Sequence, residues 1–261
     1  MKIFITELLL IFLLCVGVTF PQGNPDYNPY GRKININPPR YSLNGLSAYW
    51  TTMATSPNAL SRSASAYVEL PGVGRYVYQF GGGSDNSLTS VVRYNLATNS
   101  WETTGFQPIP IQMSAATAIT IGTTIYLFGG EKFTGLGKTC AFDATNGTWT
   151  TYSDMSTPVT DAAVVKYSDN YILIVGGGDG YFPGPGSTYS YSSNVQLFDV
   201  NNKSYSILPN SNYPLKAAMM GTGIINDTIF CVGGLVVNNG TGGVVDSVYK
   251  GIITRWFGKT Y

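Results

Sequence analysis

A unit with a constant internal layout occurs four times along this chain, and repetition of this length constrains the fold more than any local pattern does. Each copy contains a glycine pair, and the pairs begin at positions 81, 129, 176 and 233, so that consecutive copies are 48, 47 and 57 residues apart. Each copy also contains two aromatic residues that are seven positions apart. The residues that define the repeat are Gly81, Gly82, Tyr94 and Trp101; Gly129, Gly130, Phe142 and Trp149; Gly176, Gly177, Phe198 and Tyr205; and Gly233, Gly234, Tyr249 and Trp256.

Each copy is predicted to form four short strands. A segment of small and apolar residues precedes the strand that ends at the glycine pair, where the backbone takes a positive φ or runs close to a neighbour. An aromatic strand and a Trp or Tyr strand follow, and in the first three copies a turn rich in Asn, Asp and Thr separates them. Asp143 and Asp199 occupy the same position in that turn, which favours capping of the turn over catalysis. The small-residue segments are 64–68, 115–119, 162–165 and 217–220.

Four-stranded units of this length are typical of β-propellers, in which the units are arranged radially around a channel. The double glycine, the aromatic residue 13 positions after it in the first two copies, and the Trp seven positions beyond resemble the Kelch repeat. The resemblance covers residues 46–261 and implies an all-β, Kelch-type β-propeller. It says little about activity, because one such fold serves many unrelated functions.

The resemblance divides the chain into approximate blades at residues 46–101, 102–149, 150–205 and 206–256. Trp50 lies 51 positions before Trp101 and resembles the last strand of a preceding blade. Kelch propellers usually have six or seven blades, and four blades plus one orphan strand would leave strand edges unpaired. We therefore expect the chain to be a fragment of such a ring, cut at its C-terminus. The alternative is a small propeller or an assembly across chains.

The N-terminal region is predicted to be a targeting segment followed by a linker. Residues 1–22 resemble a signal peptide, since Lys2 provides a positive start and the apolar core at 8–18 is short for a bilayer span. Residues 23–45 are rich in Pro and Asn and are expected to be extended. We expect a secreted or cell-surface protein with no stable membrane span after signal cleavage. An uncleaved N-terminal anchor is the alternative.

The composition argues against several classes of function. Only 11% of the residues are charged and the net charge is +1, so no basic field is present to attract nucleic acid. The chain contains no His, which removes imidazole metal ligands and every Ser–His or Cys–His nucleophile pair. We expect no metal, no cofactor and no catalytic residue here, while further blades of a complete ring could supply them. Cys140 and Cys231 are predicted to be buried free thiols.

One insertion interrupts the regular spacing. The interval from the first glycine to the aromatic residue is 13 residues in copies one and two but 22 in copy three, and the additional residues are Gly, Pro, Ser and Tyr. Insertions in repeat proteins form loops on one face, often the binding face. The predicted binding residues are Tyr181, Phe182, Tyr189 and Tyr191, because aromatic side chains provide amphipathic contact area. A smaller insertion at 235–246 is expected on the same rim, and a passive loop is the alternative.

We therefore interpret the chain as a secreted or cell-surface binding module whose partner is a protein or a glycan. Loops rich in Tyr, Ser and Gly favour this hypothesis, since Tyr adds contact area at low entropic cost while Ser and Gly adapt to a partner. The second hypothesis is an extracytoplasmic enzyme on the same scaffold, such as a sugar-acid isomerase or a copper oxidase, with its catalytic residues in further blades. The third is a structural spacer or adhesin.

Overall fold

The computed structural model describes residues 51–58, 60–83, 89–130, 136–179, 190–238 and 241–252. Within these ranges the chain forms eighteen strands and no helix, which confirms the predicted all-β class. All of the strands lie in one compact unit that begins at Ala54. No part of the described chain contains a helix with the length and apolarity that a membrane crossing requires.

The first three copies of the repeat form four-stranded antiparallel sheets whose strands are adjacent in chain order. Blade one consists of β1 (Ala64–Leu70), β2 (Gly74–Phe80), β3 (Val91–Asn95) and β4 (Ser100–Glu102). Blade two consists of β5 (Thr117–Ile121), β6 (Thr124–Phe128), β7 (Thr139–Asp143) and β8 (Thr148–Thr151). Blade three consists of β9 (Ala163–Lys166), β10 (Tyr171–Val175), β11 (Val195–Asp199) and β12 (Ser204–Ile207). The first strands of successive blades contact one another and form the inner edge, as radial repetition requires.

The fourth copy differs from the others. Its sheet contains β14 (Gly221–Ile225), β15 (Thr228–Val232) and β18 (Val248–Ile252), and β14 continues the inner edge beside β9. The smaller insertion forms a hairpin of β16 (Leu235–Asn238) and β17 (Thr241–Val244), which pairs with β13 (Ala217–Ala218). The prediction that 217–220 is the inner strand was therefore wrong. The insertion places a strand edge beside these alanines, and they pair with that edge instead.

Several predictions fall on parts of the chain outside the described residues. These are the signal peptide at 1–22, the linker at 23–45, the orphan strand with Trp50, and the last strand of blade four with Trp256. The blade boundaries and the fragment hypothesis remain predictions. In blade two the first strand begins two residues later than predicted, because Ala115 has a left-handed backbone, with a φ of 59°.

In the first three blades, the seven-residue spacing of the aromatic pairs reflects the register between the third and fourth strands. The paired residues are directly opposite each other on neighbouring strands, namely Tyr94 and Trp101, Phe142 and Trp149, and Phe198 and Tyr205. Their ring centroids are 5.4, 4.9 and 4.9 Å apart. The turn between the strands is capped as predicted, since a carboxylate oxygen of Asp143 accepts from the Thr145 amide at 2.9 Å and one of Asp199 from the Asn201 amide at 2.8 Å.

The hydrophobic core lies between successive blades. Phe142 of blade two packs against Tyr78 and Phe80 of blade one, with centroids 5.3 and 5.5 Å away. Phe198 of blade three packs in the same way on Phe128 of blade two, at 5.5 Å. Each such aromatic contact contributes about 0.5–1.5 kcal/mol beyond the burial of area.

The glycine pairs lie where the second strand of a blade passes against connecting backbone. Gly177 has a φ of 98°, and a Cβ there would lie 2.7 Å from the Val159 Cβ and 2.9 Å from the Thr160 oxygen. Gly234 has a φ of 110°, and its Cβ would lie 2.7 Å from the Ala218 oxygen. Any other residue at Gly177 or Gly234 would displace the connecting backbone, so the packing requires glycine at these two positions.

Candidate functional site at the inner mouth of the blades

Four residues at the inner edge share one unusual backbone conformation. Arg62, Ala115, Asp161 and Met219 have φ values of 58, 59, 51 and 56° and precede the first strands of blades one to four. Residues other than glycine rarely adopt a left-handed backbone, with Asn and Asp the commonest exceptions. The four positions are therefore structurally equivalent although their residue types differ, and we call them the mouth residues.

Backbone hydrogen bonds join the mouth residues from blade to blade. The Ala115 amide donates to the Arg62 carbonyl at 2.8 Å, the Asp161 amide to the Ala115 carbonyl at 3.2 Å, and the Met219 amide to the Asp161 carbonyl at 2.9 Å. Thr160 reinforces the chain of bonds, since its hydroxyl also donates to the Ala115 carbonyl at 2.9 Å. These bonds satisfy backbone groups at the inner edge and set the spacing of the four side chains.

This spacing allows an ion pair between the mouth residues of blades one and three. Nη2 of Arg62 in blade one lies 3.4 Å from Oδ2 of Asp161 in blade three. The mouth residue between them is Ala115, whose side chain is only a methyl group. The two charged side chains are 32% and 14% exposed, so the pair contributes modestly to stability, by less than about 1 kcal/mol. It places a cation and an anion together at the mouth.

Tyr191 lies beside this ion pair, at the C-terminal side of the insertion in blade three. Gly178 forms isolated bridges with both Thr160 and Tyr191, which extends the sheet of blade three toward the mouth. The Tyr191 side chain is buried. Burial raises the pKa of its hydroxyl, and the carboxylates of Asp161 and Asp179 raise it further. The phenol therefore stays protonated near neutral pH, close to two carboxylates.

A polar cavity of about 290 Å³ opens next to Tyr191. Its wall is lined by Thr157, Pro158, Val159, Asp179, Ser190, Tyr191, Ser192, Ser193, Asn194 and Lys216. Asp179 and the exposed Lys216 both line the cavity, together with Ser190, Ser192, Ser193 and Asn194. The cavity provides hydrogen-bond donors and acceptors as well as one positive and one negative side chain, which suits a polar ligand such as a peptide or a sugar.

Buried side-chain amides hold the wall of the cavity in place. The side-chain oxygen of Gln196 accepts from the backbone amide of Thr157 at 2.8 Å. The side-chain amide group of Gln196 donates to the backbone carbonyl of Thr157 at 2.9 Å. The Asn194 amide group donates to the Thr157 hydroxyl at 2.8 Å. The Asp179 carboxylate accepts from the Ser190 amide at 3.1 Å. Since Gln196 is fully buried, the connection at Thr157 is fixed to blade three before any ligand binds.

The chain matches the KLHDC2/KLHL20/DRC7 Kelch-repeats domain over residues 35–234. It belongs to this Kelch-repeat family. Among solved structures, one titled "Structure of YjhT" superposes with a TM-score of 0.58 at 21% sequence identity, over 72% of this chain and 63% of that one. This likeness supports the propeller fold, and the chain spans 63% of the length of that protein. None of the curated proteins matches the chain.

The predicted binding residues of this Kelch chain are only partly within the described ranges. Tyr181, Phe182 and Tyr189 lie outside the described residues, and their role in binding remains a prediction. Tyr191 is described, and it forms a buried wall of the cavity rather than an exposed contact surface. Neither Arg62 nor Asp161 was predicted from the sequence to be a site residue. A signal existed, because Arg62 lies two residues and Asp161 one residue before the start of a small-residue segment.

The Kelch chain has a second cavity, of about 470 Å³, between blades three and four. Its apolar wall includes Leu173, Val175 and Leu197, and its polar groups come from Tyr213, Cys231 and Tyr249. Aliphatic residues at 173 and 175 replace the rings of Tyr126 and Phe128 in blade two, which leaves this space open. The Tyr213 hydroxyl is buried without a hydrogen-bond partner, and burial raises its pKa to about 12.

The cysteines and acidic residues of the described part form neither a reactive thiolate nor a metal site. Cys140 and Cys231 are free and buried, as predicted. Burial raises the pKa of the Cys140 thiol to about 12 and that of the Cys231 thiol to about 11, so neither is a thiolate nucleophile at neutral pH. In the described ranges, no three Cys, Asp or Glu side chains are arranged to hold a metal ion.

Proposed function

We propose that this Kelch-repeat chain is a secreted or cell-surface binding module that recognises a protein partner at the inner mouth of its blades. Kelch-repeat propellers are binding scaffolds, and the family membership supports this general class of function. The observation that carries the specific proposal is the polar cavity beside Tyr191, at the base of the insertion in blade three. A cavity formed by connections at the edge of a rigid scaffold is the usual arrangement of a recognition site.

The charges of the site indicate how a polypeptide would be held. Lys216 is exposed and forms no ion pair within the described part of the chain, so its ammonium is available to a carboxylate of the partner. Asp179 uses its carboxylate to accept from the Ser190 amide and retains capacity for a cationic or N–H donor. The side chains at residues 190–194 offer hydroxyl and amide groups for the partner's backbone.

A glycan is the second candidate, and the same cavity favours it for a different reason. The lining is rich in hydroxyl groups, and Tyr191 provides an aromatic wall. The enzyme hypothesis has less support, because the cavity contains one carboxylate and no imidazole. Secretion is supported by the predicted signal peptide at residues 1–22.

The test uses a displayed random-peptide library and a printed glycan array as probes of the full chain. Peptides selected on the wild type should bind Lys216→Ala and Asp179→Asn at least about tenfold more weakly, as expected when one charged contact is lost. Asn at position 179 keeps the side-chain oxygen that accepts from the Ser190 amide, so this hydrogen bond should be retained. Lys166→Ala is the matched control, because Lys166 lies at the other end of β9 and pairs with Asp169 at 2.6 Å.

Three outcomes separate the alternatives. Loss of peptide binding in Lys216→Ala and Asp179→Asn, with the control unchanged, supports the proposal. Equal peptide binding by all three variants would refute the mouth as the recognition site. Binding to glycans alone, lost in the same two variants, would replace the protein partner with a carbohydrate.

A further inference from the structure

The turns at one end of the blades contain asparagines in the sequence pattern of an N-glycosylation acceptor. The pattern is Asn, then any residue except Pro, then Ser or Thr, and it acts in surface loops of secreted proteins. It occurs in the described part of the chain at Asn146, Asn202 and Asn226. A fourth match, at Asn239, lies outside the described residues. The three described asparagines are all exposed, which a bulky surface modification requires.

Asn146 and Asn202 occupy equivalent positions in blades two and three. Each lies three residues after the carboxylate that caps the turn between the third and fourth strands. Nδ2 of Asn146 donates to Asp143 at 2.8 Å, and Nδ2 of Asn202 donates to Asp199 at the same distance. Blades two and three both have described blades on either side, so a further blade of a longer chain would not cover these two turns.

These turns lie at the opposite end of the blades from the mouth. The mouth residues precede the first strands, and consecutive strands of a blade are antiparallel, so the turns after the first and third strands share the other end. In blade three a hydrogen bond joins the two turns, because the Asn201 side chain donates to the Asn170 side-chain oxygen at 3.0 Å. We call this end of the blades the turn face. Asn226 lies there too, in the turn between β14 and β15.

Modification of Asn146 and Asn202 is compatible with the folded turns. In glycan transfer, Nδ2 attacks the anomeric carbon of a lipid diphosphate-linked oligosaccharide, which the secretory pathway supplies. The N–C bond forms, the bond from that carbon to the phosphate oxygen breaks, the lipid diphosphate leaves, and Nδ2 loses one of its two hydrogens as a proton. The hydrogen that remains can still bond to the carboxylate of Asp143 or Asp199.

The middle residue of the pattern distinguishes this pair from the third site. Asn226 is followed by Asp227, and a carboxylate beside the reacting nitrogen repels the anionic diphosphate of the donor. The corresponding residues after Asn146 and Asn202 are Gly147 and Lys203, which add no negative charge. The inference is therefore restricted to the equivalent pair.

We infer that Asn146 and Asn202 carry N-linked glycans after passage through a eukaryotic secretory pathway, and that these glycans cover the turn face while the mouth stays accessible. The inference rests on the secretion that belongs to the proposed function. It adds the modified residues and the direction from which a partner approaches, since a bulky, solvated glycan keeps macromolecules away from the turn face.

Expression of the full chain in cultured human cells tests the two sites, with residues 1–22 either kept or replaced by an established secretion signal. Peptide N-glycosidase in heavy-oxygen water should leave labelled aspartate at positions 146 and 202, which mass spectrometry detects. Asn146→Gln and Asn202→Gln should each remove one glycan. Thr148→Ala should act like Asn146→Gln, because it deletes only the hydroxyl of the pattern, and Thr148→Ser should retain the glycan. Asn201→Gln is the matched control, since it changes an exposed asparagine of the same turn that is outside the pattern.

The two forms of the chain separate failure of the sites from failure of secretion. Glycans at both positions in both forms support the inference. Glycans only in the form with the replaced signal would support the two sites and refute secretion by residues 1–22. Secretion of that form with either asparagine unmodified would overturn the inference. Peptides selected on the wild type should bind the glycosylated chain and the Asn146→Gln/Asn202→Gln double variant equally, and weaker binding by the glycosylated chain would overturn the separation of the glycans from the mouth.

Discussion

Arg62 and Asp161 form an ion pair although blades one and two both lie between them in the chain. They meet because both have a left-handed backbone at the inner edge and because the equivalent residue of blade two is the small Ala115. Backbone hydrogen bonds run through the same three residues, so the ion pair and the inner edge form one unit.

Asp161→Asn should destabilise the protein by less than about 1 kcal/mol, because it removes a partly exposed ion pair while Asn still tolerates the left-handed backbone. Asp161→Val should cost about 1–3 kcal/mol, since a β-branched residue is strained at this φ. Urea unfolding measures both, and raising the salt concentration should reduce only the charge-dependent part. A larger loss for Asn than for Val would contradict the role assigned to the backbone.

Gly177→Ala should destabilise the protein more than Gly122→Ala does. Both glycines have a positive φ, but a Cβ at Gly122 meets no atom within 4 Å, whereas one at Gly177 collides with Val159 and Thr160. Backbone strain alone costs about 1–2 kcal/mol, and the collision should add about 1–3 kcal/mol. Thermal and urea unfolding of the two variants give the comparison. Equal losses would show that the space around Gly177 is not required.

Tyr213→Phe should raise the free energy of unfolding by about 1 kcal/mol, because it removes a buried hydroxyl without a partner. Tyr205→Phe is the matched control and should lower stability by about 1 kcal/mol, since the Tyr205 hydroxyl bonds to that of Thr139. Both variants delete one hydroxyl oxygen from a tyrosine, so a shared sign of the effect would contradict the assignment. Urea unfolding at neutral pH separates them.

Stability should decrease at alkaline pH because buried thiols and phenols must ionise. The pKa of the Cys231 thiol rises from 9.0 to about 11 and that of Tyr213 from 10.0 to about 12 in the folded chain. A raised folded-state pKa stabilises fully below the unfolded pKa, and this stability is lost as pH rises through the folded value. The loss contributed by Cys231 should therefore begin near pH 9 and be complete above about 11. Cys231→Ala should remove that part of the pH dependence in urea unfolding.

Thiol reactivity provides an independent measure of the same burial. In a Cys15→Ser background, neither Cys140 nor Cys231 should react with an aromatic disulfide reagent in the native state at pH 8, and both should react in urea. Rapid native reaction of Cys231 alone would show that the cavity between blades three and four opens to solvent.

Much of the fold could be predicted from the sequence, because the repeat is defined by particular residue types at short, fixed spacings. A glycine pair marks the end of each second strand, and two aromatic residues seven positions apart sit opposite each other in a hairpin. The site was harder to predict. Arg62 and Asp161 are 99 residues apart and have different chemistry, so nothing in their local sequence relates one to the other.

The sequence by itself determined the strand order, the hairpin register and the all-β propeller class, since these depend on spacings within a single repeat. The tertiary structure alone decided which mouth residues meet and how the cavity beside Tyr191 is lined. Those features depend on contacts between residues of different blades, which are far apart in the chain and meet only when the blades pack on one another. Ala217 and Ala218 illustrate the same limit. They were predicted to lie in the first strand of blade four, but they pair with the β16 edge of the hairpin instead.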